Sequence, residues 1–216
     1  MLAATTVKMA AMDEVMSRGR LEAFSDGVFA IAITLLILDV TVPPGSGAHL
    51  AHSLAQEWPA YLAYVTSFLT IAVIWINHHA MFSKVTYADR RLVFSNSVFL
   101  MVVAFIPFPT RLLAEYIRDP NGARTAAVFY GLTFIVLSVV FNLTWRAIAI
   151  DRRLVRDEEV PQADLKAITR SFRPGIPMYI AATLVAFVSP VASAFLYLVI
   201  ALFYALPAQL VTRVQR

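Results

Sequence analysis

The chain has 216 residues, of which 59% are hydrophobic, and its mean hydropathy of +0.70 excludes an ordinary soluble domain. Its formal net charge of +4 fits basic loops on one side of a membrane better than nucleic-acid binding, because the chain has no basic helix and no aromatic RNA-binding motif. The absence of cysteine excludes thiolate chemistry, disulfides and cysteine metal sites.

Six apolar runs follow one another along the chain and predict an all-α integral membrane protein with six transmembrane helices. They are preceded by an N-terminal tail of residues 1–19, in which Asp13 and Glu14 interrupt any signal-peptide core. One transmembrane domain covers 20–211, and 212–216 form a short C-terminal tail. The predicted spans are 22–42, 57–81, 92–113, 124–146, 174–189 and 191–211.

The distribution of lysine and arginine predicts the orientation of these spans. With the N-terminus inside, fifteen basic residues fall on the cytoplasmic side and three fall outside. Seven of the fifteen lie in the loop after the fourth span. We therefore expect both termini to be cytoplasmic.

This topology gathers polar residues from four spans at the cytoplasmic end of the bundle. Buried polar groups must find partners, and arginine, carboxylate and imidazole groups can satisfy one another. The first two spans contribute Arg20, Ser25, Asp26, Trp75, Asn77, His78 and His79, and the next two contribute Asn96 and Asn142.

The sequence leaves three interpretations of this inner layer open. It could be a hydrogen-bonded clamp that fixes helix packing, or a proton relay, because histidine titrates near neutrality. A metal-dependent membrane hydrolase would use His78, His79 and Asp26 as ligands. Adjacent histidines point about 100° apart on a helix and do not converge on one ion, so we predict neither a metal nor a catalytic residue.

The first span also carries an apolar stripe. Ile31, Leu35 and Leu38 are spaced i, i+4, i+7 and share one helix face, while Asp26 points about 140° away from Ile31. Thr34 and Asp39 flank the stripe. On its own, such a stripe is typical of contact with lipid or another helix. Asp39, near the predicted outer mouth, is either a solvated helix-end acid or a group that attracts cations.

Two motifs resemble a known family. Arg20-x3-Phe24-Ser25-Asp26 opens the first span, and Trp75-Ile-Asn77-His78-His79 closes the second; the segment 105–111, Phe-Ile-Pro-Phe-Pro-Thr-Arg, resembles the family's third span. The family is that of transmembrane protein 175, the potassium channels of endolysosomes and their bacterial relatives. A single six-span unit resembles the bacterial form.

The resemblance implies a homotetramer in a bacterial inner membrane, with the first span of each subunit lining a central pore. Ile31 would form the constriction, Leu35 and Leu38 further apolar rings, and Thr34 a position near the filter. The packing network that holds the pore helix would comprise Arg20, Phe24, Ser25, Asp26, Trp75, Asn77, His78 and His79.

The expected partners are identical subunits, permeant monovalent cations (potassium above all) and the lipid bilayer, with no cofactor and no nucleic acid. A ring of four isoleucines offers no oxygen to replace hydration water, so it acts as a filter and a hydrophobic gate. The alternative function is a proton- or cation-coupled transporter that uses Asp26, His78 and His79.

Overall fold

A computed structural model describes residues 17–86, 88–150, Thr169 and 174–206 of the protein. The described residues are mostly helical and include no sheet. The first helix, α1, spans Arg18–Leu35 and continues as a 3₁₀ turn, Leu36–Asp39. After a second 3₁₀ turn, Ser46–His49, the other helices are α2 Leu50–Gln56, α3 Trp58–Phe82, α4 Arg90–Phe105, α5 Pro107–Tyr116, α6 Ala123–Ile150, α7 Gly175–Val185 and α8 Pro190–Ala205.

Four helical stretches are long and apolar enough to cross a bilayer. They are Arg18–Asp39, Trp58–Phe82, Arg90–Tyr116 and Ala123–Ile148. The apolar helices α7 and α8 have 11 and 16 residues, fewer than the roughly 20 that a perpendicular span needs. Most of the two predicted tails, residues 1–16 and 212–216, lies outside the described residues.

The ends of these helices follow from local chemistry. The Asp89 carboxylate accepts a 2.8 Å hydrogen bond from the Leu92 backbone N–H, and this caps the start of α4. Ser189 caps α8 in the same way through the Ala192 N–H. The long third stretch is divided at Ile106 because Pro107, the first residue of α5, has no N–H to continue the helical bonding.

The end of α1 differs from the prediction. A continuous span over 22–42 was expected, but the α-helical geometry ends at Leu35 and helical structure ends at Asp39. A 3₁₀ turn rises about 2.0 Å per residue instead of about 1.5 Å. Ile31 and Leu38 are therefore about 12 Å apart along the axis, not the roughly 10 Å of an uninterrupted α-helix.

Helix α3 holds the centre of the subunit. It contacts α1, α5 and α8, while α6 packs against α4, α5 and α7. The core between these helices is rich in large aromatic side chains, among them Phe99, Tyr130, Trp145 and Tyr197, each almost inaccessible to solvent. Helix α1 lies at the edge of this arrangement and contacts α3 and α4.

Candidate functional site

Helix α1 has one face that is buried by the described residues and one face that they leave exposed. The buried face comprises Leu21, Ser25, Phe29 and Ala32, which pack toward α3 and α4, and Leu36 continues it into the 3₁₀ turn. On the other face Ile31 is 61% exposed, Leu35 42% and Leu38 67%. In the apolar 18-residue stretch of α1 and its 3₁₀ turn, only 28% is buried, compared with 50% in the corresponding stretch of α3. The predicted stripe is therefore part of the surface of this helix that the described residues leave exposed.

Thr34 lies beside this stripe and is also exposed. Its hydroxyl donates a 2.9 Å hydrogen bond to the backbone carbonyl of Ile31. Because its proton is used within the helix, the oxygen keeps a lone pair that can face water or a cation.

The buried face of α1 is tied to α3 and α4 by a chain of hydrogen bonds. The Asn96 Nδ2 group donates to Ser25 Oγ over 3.0 Å, and the Asn96 Oδ1 atom lies 2.9 Å from His78 Nε2. All three side chains are buried. Since the Asn96 amide donates through nitrogen to Ser25, its oxygen is the acceptor toward the imidazole, and His78 Nε2 must carry the proton.

Aromatic rings enclose this chain on the side of the imidazole. The His78 ring stacks on Phe82, with 4.3 Å between centroids, and on Phe99, at 5.6 Å. Phe29 of α1 meets it edge-on at 5.4 Å. The histidine therefore packs as a flat aromatic side chain that also makes one directed hydrogen bond, which fixes the rotation of α1 relative to α3 and α4.

Asp26 bonds to a tryptophan of α3 and not to a histidine. The Trp75 indole Nε1–H donates a 2.8 Å hydrogen bond to Asp26 Oδ1, at the exposed edge between α1 and α3. Neither histidine bonds to Asp26, because His78 is turned to Asn96 and His79 is exposed. The carboxylate and the buried histidine thus hold α1 through two separate contacts.

Arg20 and Phe24 lie outside both contacts. Phe24 is 60% exposed, and the Arg20 side chain is exposed and makes no hydrogen bond or ion pair with the described residues of its own subunit. The arginine that joins α1 to its surroundings is Arg18. It pairs with Glu22 over 3.2 Å and donates to the carbonyls of Ser83 and Val85 after α3.

At the opposite end of α1, a polar cavity of about 670 Å³, including its open side, surrounds Asp39. Glu57 and Glu115 line it together with Arg111, which pairs with Glu115 over 3.9 Å. Asp39 ends the 3₁₀ turn and is half-buried beside this cavity.

Comparison with known proteins gives these contacts a context. Residues 20–107 match the model of the family "Endosomal/lysosomal potassium channel TMEM175". A potassium channel of Chamaesiphon minutus is 44% identical over 191 residues, which are 87% of this chain and 93% of the relative. A potassium channel of Streptomyces collinus is 52% identical over 128 residues, 59% of this chain and 62% of that one.

A solved structure is similar to this chain as well. The crystal structure of a lysosomal potassium-selective channel TMEM175 homolog from Chamaesiphon minutus superposes with a TM-score of 0.77 at 42% identity, covering 87% of this chain and 96% of that one. The chain belongs to the TMEM175 family. It is therefore a membrane protein of a potassium-channel family and not a member of an enzyme family.

Membership in the TMEM175 family removes the hydrolase interpretation, and the geometry agrees. His78 is enclosed by phenylalanines, His79 is exposed and Asp26 is bonded to an indole, so the three do not converge. Within residues 17–86, 88–150, 169 and 174–206, no group of three or more histidine, cysteine or carboxylate side chains could hold a metal.

Two asparagines of the predicted inner layer, Asn77 and Asn142, lie apart from the hydrogen bonds that join α1 to α3 and α4. Asn77 follows Trp75 by two residues and precedes His78, so it points to another side of α3, and it borders a cavity shared with Asn142 of α6. The Asn142 Nδ2 group donates to the Ser138 carbonyl one turn earlier on α6.

The sequence analysis named Asn96 as part of the inner layer but did not select it as a site residue. Its role depends on bonding two helices at once, to Ser25 and to His78. A polar residue within an apolar helix was the only available signal, and that signal does not distinguish Asn96 from Asn142.

Proposed function

We propose that four copies of this chain assemble around their α1 helices into a potassium-permeable cation channel in a cell membrane. The observation that carries this proposal is the apolar face of α1, where the described residues leave Ile31, Leu35 and Leu38 exposed. A helix at the edge of a bundle, with an apolar face that its own chain leaves bare, favours burial against copies of itself. The relatives named potassium channels support the same assignment.

The proposed selectivity follows from dehydration. A ring of isoleucine methyl groups cannot replace the water oxygens around a cation, so an ion passes with few waters or the ring dewets and closes. Potassium gives up its water at lower cost than sodium and is modestly preferred. Leu35 and Leu38 extend the apolar section outward, and the Thr34 hydroxyl oxygen lies beside its first ring.

Each subunit contact described above has a role in this proposal. The Ser25–Asn96–His78 chain sets the rotation of α1, and the Asp26–Trp75 hydrogen bond sets its height against α3. Asp39 and its neighbours form the outer vestibule, where three carboxylates outnumber one arginine and raise the local cation concentration. Helices α7 and α8 complete six spans, with both termini in the cytoplasm of a bacterial cell.

The rival function is a proton- or cation-coupled transporter, which would bind its ion near the middle of the membrane. Purified protein in planar bilayers separates the two. A channel gives unitary current steps in symmetric potassium, and the reversal potential shifts with the potassium gradient. Saturable flux in liposomes without unitary steps would support the transporter instead.

Assembly around α1 can be tested directly because the chain has no cysteine of its own. We expect Leu38→Cys to form intersubunit disulfides on mild oxidation and to be blocked by a cationic thiol reagent added from outside. Val188→Cys, at a position that is 89% exposed in the turn before α8, is the control and is expected to do neither. Equal cross-linking of both variants would contradict a central α1.

A further inference from the structure

A second cavity lies on the far side of α3 from the pore helix. It is enclosed by α3, α6, α7 and α8, and it measures about 560 Å³ including its open side. Its polar lining comes from Thr70, Asn77, Ser138, Asn142, Tyr179 and Tyr204. The rest of the wall is apolar, including Leu137, Phe141 and Ala201. Nothing in the proposed ion path uses this space.

The polar groups around the cavity have hydrogen-bonding capacity to spare. The Asn77 side chain makes no hydrogen bond with the residues that the structure describes, so its amide has donors and an acceptor available. Asn142 spends one N–H on the Ser138 carbonyl and keeps its amide oxygen and second N–H. The Tyr204 hydroxyl donates only to the Met178 sulfur, over 3.9 Å.

The chemistry of the wall selects a class of ligand. The described lining residues carry no charged side chain, so an ionic head group would lie unpaired in a largely apolar space, which is costly. An uncharged molecule with an alkyl body and one hydroxyl or amide head meets both requirements. A pocket of this composition, mostly apolar with a few converging polar groups, is typical of small-molecule sites.

A nearby surface groove provides an internal comparison. It lies between α4 and α6, measures about 810 Å³ including its open side, and is lined by Met101, Val102, Phe105, Phe129, Leu132, Thr133 and Val136. The Thr133 hydroxyl is already bonded to the Phe129 carbonyl. This groove resembles an ordinary contact with lipid acyl chains, whereas the cavity presents the amide groups of Asn77 and Asn142, which have hydrogen-bonding atoms left over.

We infer that the cavity between α3, α6, α7 and α8 is a binding site for an uncharged, membrane-soluble amphiphile whose head group bonds to Asn77 and Asn142. The occupant lies against the turn of α3 whose other sides hold Trp75 and His78, the two side chains that support α1. The inference concerns binding alone and does not depend on whether the protein conducts ions.

The test is photolabelling of the full-length protein in liposomes with a diazirine analogue of 1-octanol, followed by peptide mapping. We expect saturable labelling of α3 and α6 at the cavity, competed by 1-octanol and by octanamide. Labelling at the groove is expected to rise linearly with probe and to resist competition. Octanoate and octylammonium, which carry the same chain with a charge, should compete at least about tenfold more weakly, because each would lie unpaired.

Variants identify the binding groups. Asn77→Leu and Asn142→Leu each preserve side-chain bulk and should weaken competition about fivefold, the factor for one net hydrogen bond. Ser138→Phe fills the cavity by a different route and should abolish the saturable labelling, which keeps the test decisive if a leucine variant fails to fold. Thr133→Val, in the groove, is the matched control and should change nothing. The inference would be overturned if the cavity is not labelled, or if its labelling rises linearly with probe. It would also be overturned if octanoate competes as well as 1-octanol, or if the asparagine variants leave the competition unchanged.

Discussion

The Trp75 indole and the Asp26 carboxylate join the polar edges of α3 and α1 through one 2.8 Å hydrogen bond. Forty-nine residues separate them in the chain, and the bond lies at an exposed edge, whereas His78 and Asn96 bond in the buried interior. Among the contacts that hold helix α1, one is thus wet and one is dry, and they differ in what their loss should cost.

At the wet contact, we expect Trp75→Phe and Asp26→Leu to destabilise the protein by similar, modest amounts of about 1 kcal/mol, because an exposed carboxylate recovers hydration when its partner is lost. Asp26→Asn keeps an acceptor oxygen and should lie closer to the parent. The measurement is thermal unfolding in detergent combined with the yield of assembled protein. Arg20→Ala, which removes no side-chain bond to any residue that the structure describes, serves as the comparison; a larger loss there than in Asp26→Leu would indicate that Arg20 acts between subunits.

At the dry contact, Asn96→Leu should cost more, about 2–3 kcal/mol, since it leaves the buried His78 N–H without an acceptor, while the Ser25 hydroxyl keeps its hydrogen bond to the Leu21 carbonyl. The same unfolding measurement applies. Ser97→Ala is the matched control on the exposed side of α4, where the serine hydroxyl bonds only to the Val93 carbonyl. An Asn96→Leu protein as stable as Ser97→Ala would mean that the chain does not hold α1.

A third prediction concerns the contact of α6 with α7 and α8. A Cβ atom added at Gly131 would collide with the hydroxyl groups of Tyr197 and Thr183, which bond to each other over 3.0 Å. Gly131→Ala should therefore lower stability by about 1–3 kcal/mol through overpacking. Gly19→Ala in α1, where a Cβ meets nothing within 4 Å, should leave stability unchanged or raise it slightly. Equal unfolding temperatures of the two variants would be the contrary result.

The filter prediction is the most informative about function. Ile31→Asn introduces an amide that can bond water and cations in the proposed constriction, so conductance should rise and the potassium-to-sodium permeability ratio should fall toward one. Bi-ionic reversal potentials measure the ratio. Leu54→Asn makes the same kind of change at an exposed site on α2 and should have no effect on the ratio. An unchanged reversal potential in a normally assembled Ile31→Asn protein would mean that the filter lies elsewhere, and Thr34 would be the next position to test.

One pH effect is expected in the turn before α6. The backbone N–H groups of Gly122 and Asn121 hold the pKa of the Asp119 carboxyl below its ordinary value. A lowered folded-state pKa contributes stability that is present above the ordinary pKa and is lost as pH falls through the folded pKa. Asp119→Asn keeps an acceptor but cannot titrate, so the unfolding-temperature difference from the parent should shrink as acid is added. A pH-independent difference would contradict this assignment.

The sequence by itself determined the class of protein, the stripe on α1 and the family, because these depend on composition, on helical periodicity and on motifs that local chemistry fixes. Ile31, Leu35 and Leu38 share a face in any helix that runs through them. The sequence could also predict that polar groups near Asp26 need partners, since burial without hydrogen bonds is costly.

Only the tertiary structure decided which partner each polar group takes. The rotation of α3 within the bundle lets Trp75 bond to Asp26 and His78 bond to Asn96, and it places Asn77 beside the cavity between α3, α6, α7 and α8. All three residues lie within four consecutive positions of α3. Neighbouring positions on a helix point about 100° apart, so small changes in rotation exchange their partners. That rotation is set by the packing of Phe29, Phe82 and Phe99 around the imidazole, a shape that no single stretch of sequence contains.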